Sequence, residues 1–456
     1  MEKNLTSGSV WKNIVYFSLP YLLSYFLQTL YGMADLFIIG QFDGTAGTTA
    51  VSIGSQVMHM LTVMIVGLAM GVTVSIGQAV GANNKQKASK TIGNTVILFM
   101  LVSIVLTLVL VFLVNPIVSI MSTPQEAVAG TKVYLTICFI GIPCITAYNI
   151  ISSIYNIISS IFRGLGDSKS PMYFIAVACV ANIVLDYVFI GGMNLGPAGA
   201  ALGTTLSQAI SVIIALTVIL KQKTGISIKK SDFVPNRETM GRILRIGFPI
   251  AMQDGLIQVA FIIITIIANR RGLSDAAAVG IVEKIISFLF LVPSSMLSTV
   301  SALCAQNIGA KKHERADQTL RYAMMIAVGF GCTVSVLMQL IAPSVIQLFS
   351  GDKEVVLLGS QYIRGYIWDC IFAGVHFSFS GYFCAYGKSE ISFVHNIISI
   401  FLVRVPGVYL MSKLFPATLF PMGLATAFGS LVSVFICIGA FLWFKKTKRL
   451  VAVQNG

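Results

Sequence analysis

The sequence predicts an all-α integral membrane protein in which twelve transmembrane helices form two six-helix lobes related by pseudo-two-fold symmetry. Its 456 residues are 56% hydrophobic and only 11% charged, and long stretches such as 44–84 and 91–125 carry no charge. A membrane helix needs about 20 mainly apolar residues, and only helices or closed barrels satisfy backbone polar groups in lipid. Continuous apolar stretches, rather than alternating strand patterns, favour helices. A repeat between the two halves of the chain predicts the two lobes.

Turn residues or charges separate the predicted helices, whose ends are uncertain by about 2–4 residues. The first apolar stretch is too long for a signal peptide and no small-residue cleavage pattern follows it, so we expect it to remain as a span. The twelve spans lie at 14–40, 51–80, 92–113, 133–160, 172–191, 199–220, 245–268, 276–306, 320–342, 361–385, 391–412 and 422–444.

Basic residues fix the predicted orientation. If the N-terminus is cytoplasmic, 23 Lys and Arg residues lie in cytoplasmic segments and six lie outside. The positive-inside rule therefore predicts a multi-pass protein of the cell membrane with both termini in the cytoplasm. The net charge of +14 follows from this topology, so we expect membrane lipid as a partner and no nucleic acid.

The two halves of the chain resemble each other. Pro20 corresponds to Pro249, and the block QAVGANNKQKA from Gln78 corresponds to QNIGAKKHERA from Gln306. Each half holds an even number of spans, so both enter the membrane from the same side as parallel repeats. We predict an N-terminal lobe at 1–220, a cytoplasmic linker at 221–242 and a C-terminal lobe at 243–456. Two such lobes around a shared cleft are typical of alternating-access transporters.

Two carboxylates in the first lobe are the main functional signal. Asp35 and Asp186 lie near the outer ends of spans one and five, Asn182 is one turn from Asp186, and Thr204 begins span six. No span of this lobe contains a basic residue. Paired carboxylates in a membrane must share protons or bind a cation, and oxygen ligands suit Na⁺ or H⁺. The alternative is a structural hydrogen-bonded pair.

The second lobe carries charges of both signs. Its spans hold Asp254, Glu283 and Asp369 together with Lys284 and Arg404, and we expect a largely neutralised set of ion pairs. Asp369 and Arg404 suit either a static salt bridge or a role in substrate binding or gating. The histidines His59, His376 and His395 are more typical of polar packing than of a proton relay.

No motif for catalysis, nucleotide binding or a transition metal occurs. The eight cysteines are scattered through the spans without a metal-binding spacing. We therefore expect no enzymatic activity and no cofactor, with energy supplied by an ion gradient.

Several sequence blocks resemble the multidrug and toxic-compound extrusion (MATE) family. They are RGLGDSKSPM from Arg163, NIVLD from Asn182, GPAGAALGT from Gly196, and the span-one pattern of Pro20, Gln28 and Asp35. The resemblance covers essentially the whole chain. It implies an antiporter that exports organic, often cationic, drugs in exchange for Na⁺ or H⁺.

The resemblance also implies site residues. The cation site of the family maps onto Asp35, Asn182, Asp186 and Thr204, where Na⁺ could bind. Some family members carry a further acidic residue in span seven where this chain has Ile257 or Gln258. The candidates for substrate binding or gating are Gln28, Asp254, Glu283, Asp369 and Arg404.

Two other functions remain open at this stage. A flippase of lipid-linked saccharides from the same superfamily would usually have additional spans and a cationic cleft. A channel would dissipate an ion gradient without any substrate, whereas an antiporter requires both. We expect a monomer that transports a small organic substrate.

Overall fold

The computed structural model describes residues 5–121, 123–151, 167–221 and 229–447. Three predicted features extend beyond these ranges: the end of span four at 152–160, the start of the RGLGDSKSPM block at 163–166, and linker residues 222–228. The described residues fall into two compact units. The first includes those within Met1–Gly8, Val15–Gly247 and Ala305–Lys312, and the second those within Ser9–Ile14, Phe248–Cys304 and His313–Gly456.

Long helices account for the described part of the first half of the chain. They are α1 (Val10–Phe42), α2 (Gly44–Gly81), α3 (Lys85–Ile120), α4 (Gln125–Ile151), α5 (Lys169–Asp186) and α6 (Gly196–Lys221). A π-helical turn, Tyr187–Gly192, follows α5 directly. Together these helices include the described residues of predicted spans one to six, and they extend beyond the predicted boundaries of those spans.

Helices of the second half are more often interrupted. They are α7 (Arg237–Asn269), α8 (Leu273–Leu289), α9 (Leu291–Gly309), α10 (His313–Gln347), α11 (Lys353–Tyr366), α12 (Asp369–Ala385), α13 (Ser389–Ile397), α14 (Val405–Leu414) and α15 (Phe420–Thr447). A π-helical segment, Ile398–Arg404, joins α13 to α14. Predicted spans eight, ten and eleven each contain such a change of helix, which apolar periodicity alone does not reveal.

The helices have the length and composition of membrane spans. Within the described ranges, nine helical segments are apolar enough to cross a membrane on their own. The other three predicted spans correspond to α4, α6 and the interrupted pair α11 and α12. Side chains on one face of α3, such as Leu101, Val105 and Phe112, are exposed, as expected for a helix that faces lipid. The prediction of an all-helical, multi-pass membrane protein is confirmed.

An apolar core in the first unit surrounds the predicted cation site. Ile38 and Ile39 of α1 pack with Val51 of α2, Tyr134 of α4 and Ala201 of α6. Burial of each large aliphatic side chain contributes roughly 1.5–3 kcal/mol. This cluster fixes the C-terminal half of α1 against α6, which brings Asp35 to the helix that carries Thr204.

The described part of the linker is anchored to α3. Asn94 Nδ2 donates hydrogen bonds to the carbonyl oxygens of Asp232 (3.4 Å) and Val234 (3.2 Å), and the Asn236 N–H donates to Asn94 Oδ1 at 2.6 Å. A side chain on Gly93 would overlap the Asp232 carbonyl. One amide therefore holds residues 232–236 on the first unit, and α7 begins at Arg237, within the predicted linker.

The two copies of the sequence repeat meet in a reciprocal contact within the first unit. A Cβ atom on Gly81 would overlap the carbonyl oxygen of Gln306, and a Cβ atom on Gly309 would overlap that of Gln78. These residues belong to the repeated block, in which Gln78 corresponds to Gln306 and Gly81 to Gly309. The contact therefore has the symmetry that the repeat predicts, and glycine is required because two backbones touch.

We predict that Gly81→Ala destabilises the protein by about 1–3 kcal/mol, because its methyl group must displace the Gln306 backbone. The thermal unfolding midpoint in detergent, followed by tryptophan fluorescence, should fall by several degrees. Gly439→Ala on α15 is the matched control, since a Cβ atom there meets open space. Equal midpoints for the two variants would show that this backbone contact is not tight.

Candidate cation site

The candidate site begins with Asp35, which lies on α1 and is 2% exposed. Its Oδ2 atom accepts a hydrogen bond of 3.2 Å from the Thr204 hydroxyl of α6. Asn182 and Asp186 are the other side chains that interact with the Asp35 carboxyl group. The four residues that the sequence predicted as a site therefore lie together, although they come from three helices.

The helix that carries Asn182 and Asp186 changes its form directly after Asp186. Asn182 and Asp186 are four residues apart, so they share one face of α5. The α-helix ends at Asp186 and continues as the π-helical turn Tyr187–Gly192. Such turns rearrange the backbone hydrogen bonds locally and are frequent at functional sites. Both side chains are fully enclosed, with 1% and 0% exposure respectively.

Gly203 leaves the space that the Asp186 carboxylate occupies. A Cβ atom on Gly203 would overlap Asp186 Oδ1. The residue next to it on α6 is Thr204, which binds Asp35. Two adjacent residues of α6 therefore perform different tasks, because one supplies a hydroxyl group and the other supplies room for a carboxylate.

Most polar atoms of this site have no hydrogen-bond partner among the described residues. These atoms are Asp35 Oδ1, both carboxylate oxygens of Asp186, and both side-chain polar atoms of Asn182. Those of Asp186 and Asn182 lie near enough to the Asp35 carboxyl group to interact with it, but none of them forms a hydrogen bond of good geometry with the described residues. A buried polar atom without a partner costs about 1–3 kcal/mol, and more if it is charged. Protons or a small cation could satisfy the oxygens, so the arrangement has the chemistry of an ion-binding site.

The charges of the pair are not compensated within the described ranges. The salt bridges there join Arg271 to Asp275, Arg404 to Asp369 and Lys445 to Asp317, and none of them includes Asp35 or Asp186. Two ionised carboxylates about 4 Å apart repel by roughly 4 kcal/mol at an effective dielectric constant of 20. Full ionisation of both groups without a bound cation is therefore strongly unfavourable.

The ligand types at this site exclude common transition-metal centres. Among the described residues, no group of three or more His, Cys, Asp or Glu side chains could hold a metal ion. Two carboxylates, one amide and one hydroxyl are hard oxygen donors instead. Such donors suit Na⁺ or a proton, whereas zinc and copper prefer nitrogen and sulfur.

The sequence interpretation missed two side chains beside the site. Tyr31 is close to Asp35 and interacts with Gln208 of α6, whose Oε1 atom has no partner in the described part of the chain. Helical spacing could have identified both. Tyr31 precedes Asp35 by four residues, and Gln208 follows Thr204 by four, so each lies one turn away on the same face.

Among the second-unit candidates, Asp369 and Arg404 form a buried salt bridge of 2.6 Å. Asp369 begins α12 after the break that follows α11, where the helix N-terminus favours a negative charge. Arg404 also donates a 2.9 Å hydrogen bond to the Tyr366 hydroxyl. Its guanidinium group lies 5.7 Å from the centre of the Phe261 ring. These contacts hold the pair from several sides.

The expectation of a largely neutralised set in the second unit applies to Asp369 and Arg404, but Lys284 does not take part in it. Lys284 is exposed and belongs to none of the salt bridges formed by the described residues. It follows Glu283 directly, so the two side chains point in different directions on α8. Glu283 accepts a 3.0 Å hydrogen bond from Thr265 and interacts with Arg404. Glu283, Asp369 and Arg404 therefore form a cluster that Lys284 does not join.

Two other predicted residues lie apart from these groups. Asp254 on α7 accepts a long hydrogen bond of 3.4 Å from its neighbour Gln253. Gln28 is half-buried on α1, two turns before Asp35 and on the same helical face. Gln28 thus belongs to the first unit and Asp254 to the second.

The histidines of the second unit form a pair. The rings of His376 and His395 are 5.5 Å apart. His395 exchanges hydrogen bonds with the hydroxyl groups of Ser380 (3.1 Å) and Ser433 (3.2 Å). Both rings are buried, and the partners of His395 are those expected for polar packing.

Comparison with known proteins identifies the family. A model of the MatE family matches residues 20–188 and 249–410, which correspond to the two repeats. The chain belongs to the MatE family. Its members are membrane transporters, so this MatE protein is a transporter and not an enzyme, as the sequence predicted.

Similar proteins match the MatE chain almost from end to end. It is 29% identical over 443 residues to the probable multidrug resistance protein YpnP of Bacillus subtilis, covering 97% of this chain and 96% of the relative. It is 23% identical over 411 residues to the multidrug export protein MepA of Staphylococcus haemolyticus, covering 90% and 89%. A solved structure described as MATE in complex with MaL6 has a TM-score of 0.88 at 23% identity, with 99% of both chains covered. The fold is therefore the twelve-helix MATE fold.

We predict that Asp369→Asn destabilises this protein by about 3–5 kcal/mol, because it leaves Arg404 buried without its counter-ion. The double variant Asp369→Asn/Arg404→Gln should be more stable than Asp369→Asn alone. The measurement is the free energy of unfolding in detergent micelles by denaturant titration. The half-exposed Lys445–Asp317 pair supplies the control, since Lys445→Gln should cost less than about 1 kcal/mol. Additive effects of the two buried substitutions would argue against the salt bridge.

Proposed function

We propose that this MatE transporter is an antiporter that exports organic, cationic or amphiphilic drugs and toxic compounds in exchange for H⁺ or Na⁺. The observation that carries the proposal is the buried pair Asp35 and Asp186, whose charges no basic residue compensates within the described ranges. A protein that transports without nucleotide hydrolysis needs an ion site of this kind to take up energy from a gradient.

The donor set supports either coupling ion. One or two protons on Asp35 and Asp186 would remove the repulsion between the carboxylates. A Na⁺ ion would do so as well, with Asn182 Oδ1 and the Thr204 hydroxyl as additional oxygen ligands. The hydrogen bond from Thr204 to Asp35 Oδ2 leaves a lone pair of the hydroxyl oxygen available for such an ion.

Ion binding would act on three helices at once. Asp35, Asp186 and Thr204 belong to α1, α5 and α6, so a change of charge at the site alters the packing of all three. Coupling requires only that ion and substrate favour opposite conformations in an alternating-access cycle. The ion and the substrate therefore need not contact each other.

The proposal of drug-like substrates rests on the descriptions of similar proteins. YpnP and MepA are described as multidrug resistance and multidrug export proteins.

We propose five residues for substrate binding or gating: Gln28, Asp254, Glu283, Asp369 and Arg404. Of the acidic candidates, Glu283 and Asp369 each have one carboxylate oxygen without a partner in the described part of the chain. Asp369 is neutralised by its salt bridge to Arg404, so Glu283 is the first choice for contact with a cationic substrate. We further propose a monomer in the cell membrane with both termini in the cytoplasm.

We predict that Asp186→Asn abolishes ion-driven efflux. The measurement is efflux of a cationic dye from proteoliposomes under an imposed H⁺ or Na⁺ gradient. The variant keeps the size of the side chain but loses its charge, so it can no longer gain or release a proton or attract a cation strongly. Glu126→Gln is the matched control, because Glu126 is exposed at the start of α4 in the same unit.

The gradient that drives efflux identifies the coupling ion. Asp186→Asn activity equal to that of the wild type would contradict an ion role for Asp186. Dissipation of the gradient without dye would indicate a channel, and movement of a lipid-linked saccharide in place of dye would indicate a flippase.

We predict that Gly203→Ala also weakens coupling, although it removes no oxygen atom. Its methyl group would displace the Asp186 carboxylate, and the ion concentration for half-maximal efflux should rise roughly tenfold or more, about 1.4 kcal/mol per tenfold. The control is Gly32→Ala on α1, where a Cβ atom meets open space. An unchanged ion dependence in Gly203→Ala would show that the position of Asp186 is not critical.

A further inference from the structure

A second candidate site lies within the second unit. It is a cavity of about 260 Å³ between the end of α10 and one face of α11. We call it the α10–α11 pocket. Its lining residues are Pro343, Gln347, Gly351, Lys353, Val356, Leu357, Ser360, Gln361 and Arg364. None of them is acidic, and two are cationic.

The two cations of this pocket lack counter-ions in the described part of the chain. Neither Lys353 nor Arg364 takes part in a salt bridge there. The Nε atom of Arg364 is buried and has no hydrogen-bond partner among the described residues. A buried guanidinium nitrogen normally has an acceptor, so this atom is available to bind a ligand. The lining supplies no carboxylate, and the ligand must therefore bring the acceptor.

A neutral side chain in the wall is oriented as a donor. The Oε1 atom of Gln361 accepts hydrogen bonds from the Thr418 hydroxyl (2.8 Å) and the Leu419 N–H (3.2 Å). With its oxygen held in this way, the amide nitrogen of Gln361 is the group left to interact with a ligand. Gln361 follows Lys353 by eight residues and Arg364 follows Gln361 by three, which places all of them along one face of α11. The pocket thus has a row of donors.

Apolar surface surrounds the pocket. Leu340 and Leu348 on the α10 side are 72% and 81% exposed, and Leu357 on α11 is 59% exposed. Exposed leucines of this kind in a membrane protein face lipid. Arg364 lies at the predicted outer end of span ten, whereas Lys353 is about 16 Å further outward along the helix at 1.5 Å per residue. The predicted span end therefore places Arg364 at the boundary between acyl chains and headgroups, with Lys353 on the aqueous side of it.

We propose that the α10–α11 pocket binds a phosphate group, supplied by the headgroup of an anionic phospholipid. Arginine binds phosphate oxygens through parallel hydrogen bonds, and lysine adds a mobile positive charge. Basic pockets between membrane helices bind anionic lipids in this manner. The cations would repel an organic cation, so the pocket differs in chemistry from the proposed drug pathway. The proposal does not depend on the coupling ion.

The test uses the full-length protein in detergent and measures retained lipid by native mass spectrometry. The probes are phosphatidylglycerol and phosphatidylcholine with identical acyl chains, and inorganic phosphate in a separate titration. The variants are Arg364→Gln and Lys353→Gln. The matched control is Lys413→Gln, which removes an exposed cation of the same unit and the same predicted side that does not line the pocket.

We expect the wild type to bind phosphatidylglycerol more tightly than phosphatidylcholine. Arg364→Gln should weaken phosphatidylglycerol binding about tenfold through loss of a charge-assisted contact, and Lys413→Gln should not change it. If inorganic phosphate binds with the same dependence on Arg364 while phosphatidylglycerol shows no preference, the phosphate site is supported and its lipid source is rejected.

Equal binding of both probes by the wild type, Arg364→Gln and Lys353→Gln would overturn the proposal. If Arg364→Gln does not fold, Lys353→Gln still decides the question, because Lys353 is exposed at the edge of the pocket.

Discussion

Two buried carboxylates without a compensating cation are the constraint on which the first unit depends. Removal of Asp35 and Asp186 from water is costly, and their proximity adds repulsion. The fold nevertheless encloses both, with Thr204 as a donor to one carboxylate and Gly203 as space for the other. Binding of protons or a cation would relieve this cost, and under the proposed coupling it would alter the packing of α1, α5 and α6.

In the second unit, a basic residue compensates the buried carboxylate. Asp369 is equally enclosed, but Arg404 neutralises it and Tyr366 binds the arginine in turn. A charge that is paired inside the protein has little to gain from an external ion. The two repeats therefore share a helical framework but differ in their buried charges. The buried carboxylates are particular to the sequence of each half and are not required by the fold that the halves share.

Much of this structure could be predicted from the sequence, because lipid imposes a simple rule on the backbone. The length of the apolar stretches predicted the helices, and the depth of Asp35, Asn182, Asp186 and Thr204 predicted their proximity.

The helix interruptions at Phe290 and before Asp369 were not predicted, since an apolar stretch has the same composition whether or not its helix is interrupted. The exposure of Lys284 was not predicted, because a residue's depth does not specify its direction around the helix. The α10–α11 pocket depends on how two helices separate, which no local pattern records.

The reciprocal contact of Gly81 and Gly309 also bears on how the chain is made. The carbonyl group that faces Gly81 belongs to Gln306, which the ribosome adds about 225 residues later, or roughly 10–45 seconds at 5–20 residues per second. During this interval the end of α2 lacks its contact with Gln306. The first half must therefore persist in the membrane as an incomplete intermediate, exposed to proteases and to insertion machinery, until the second copy of the repeat emerges and closes the contact.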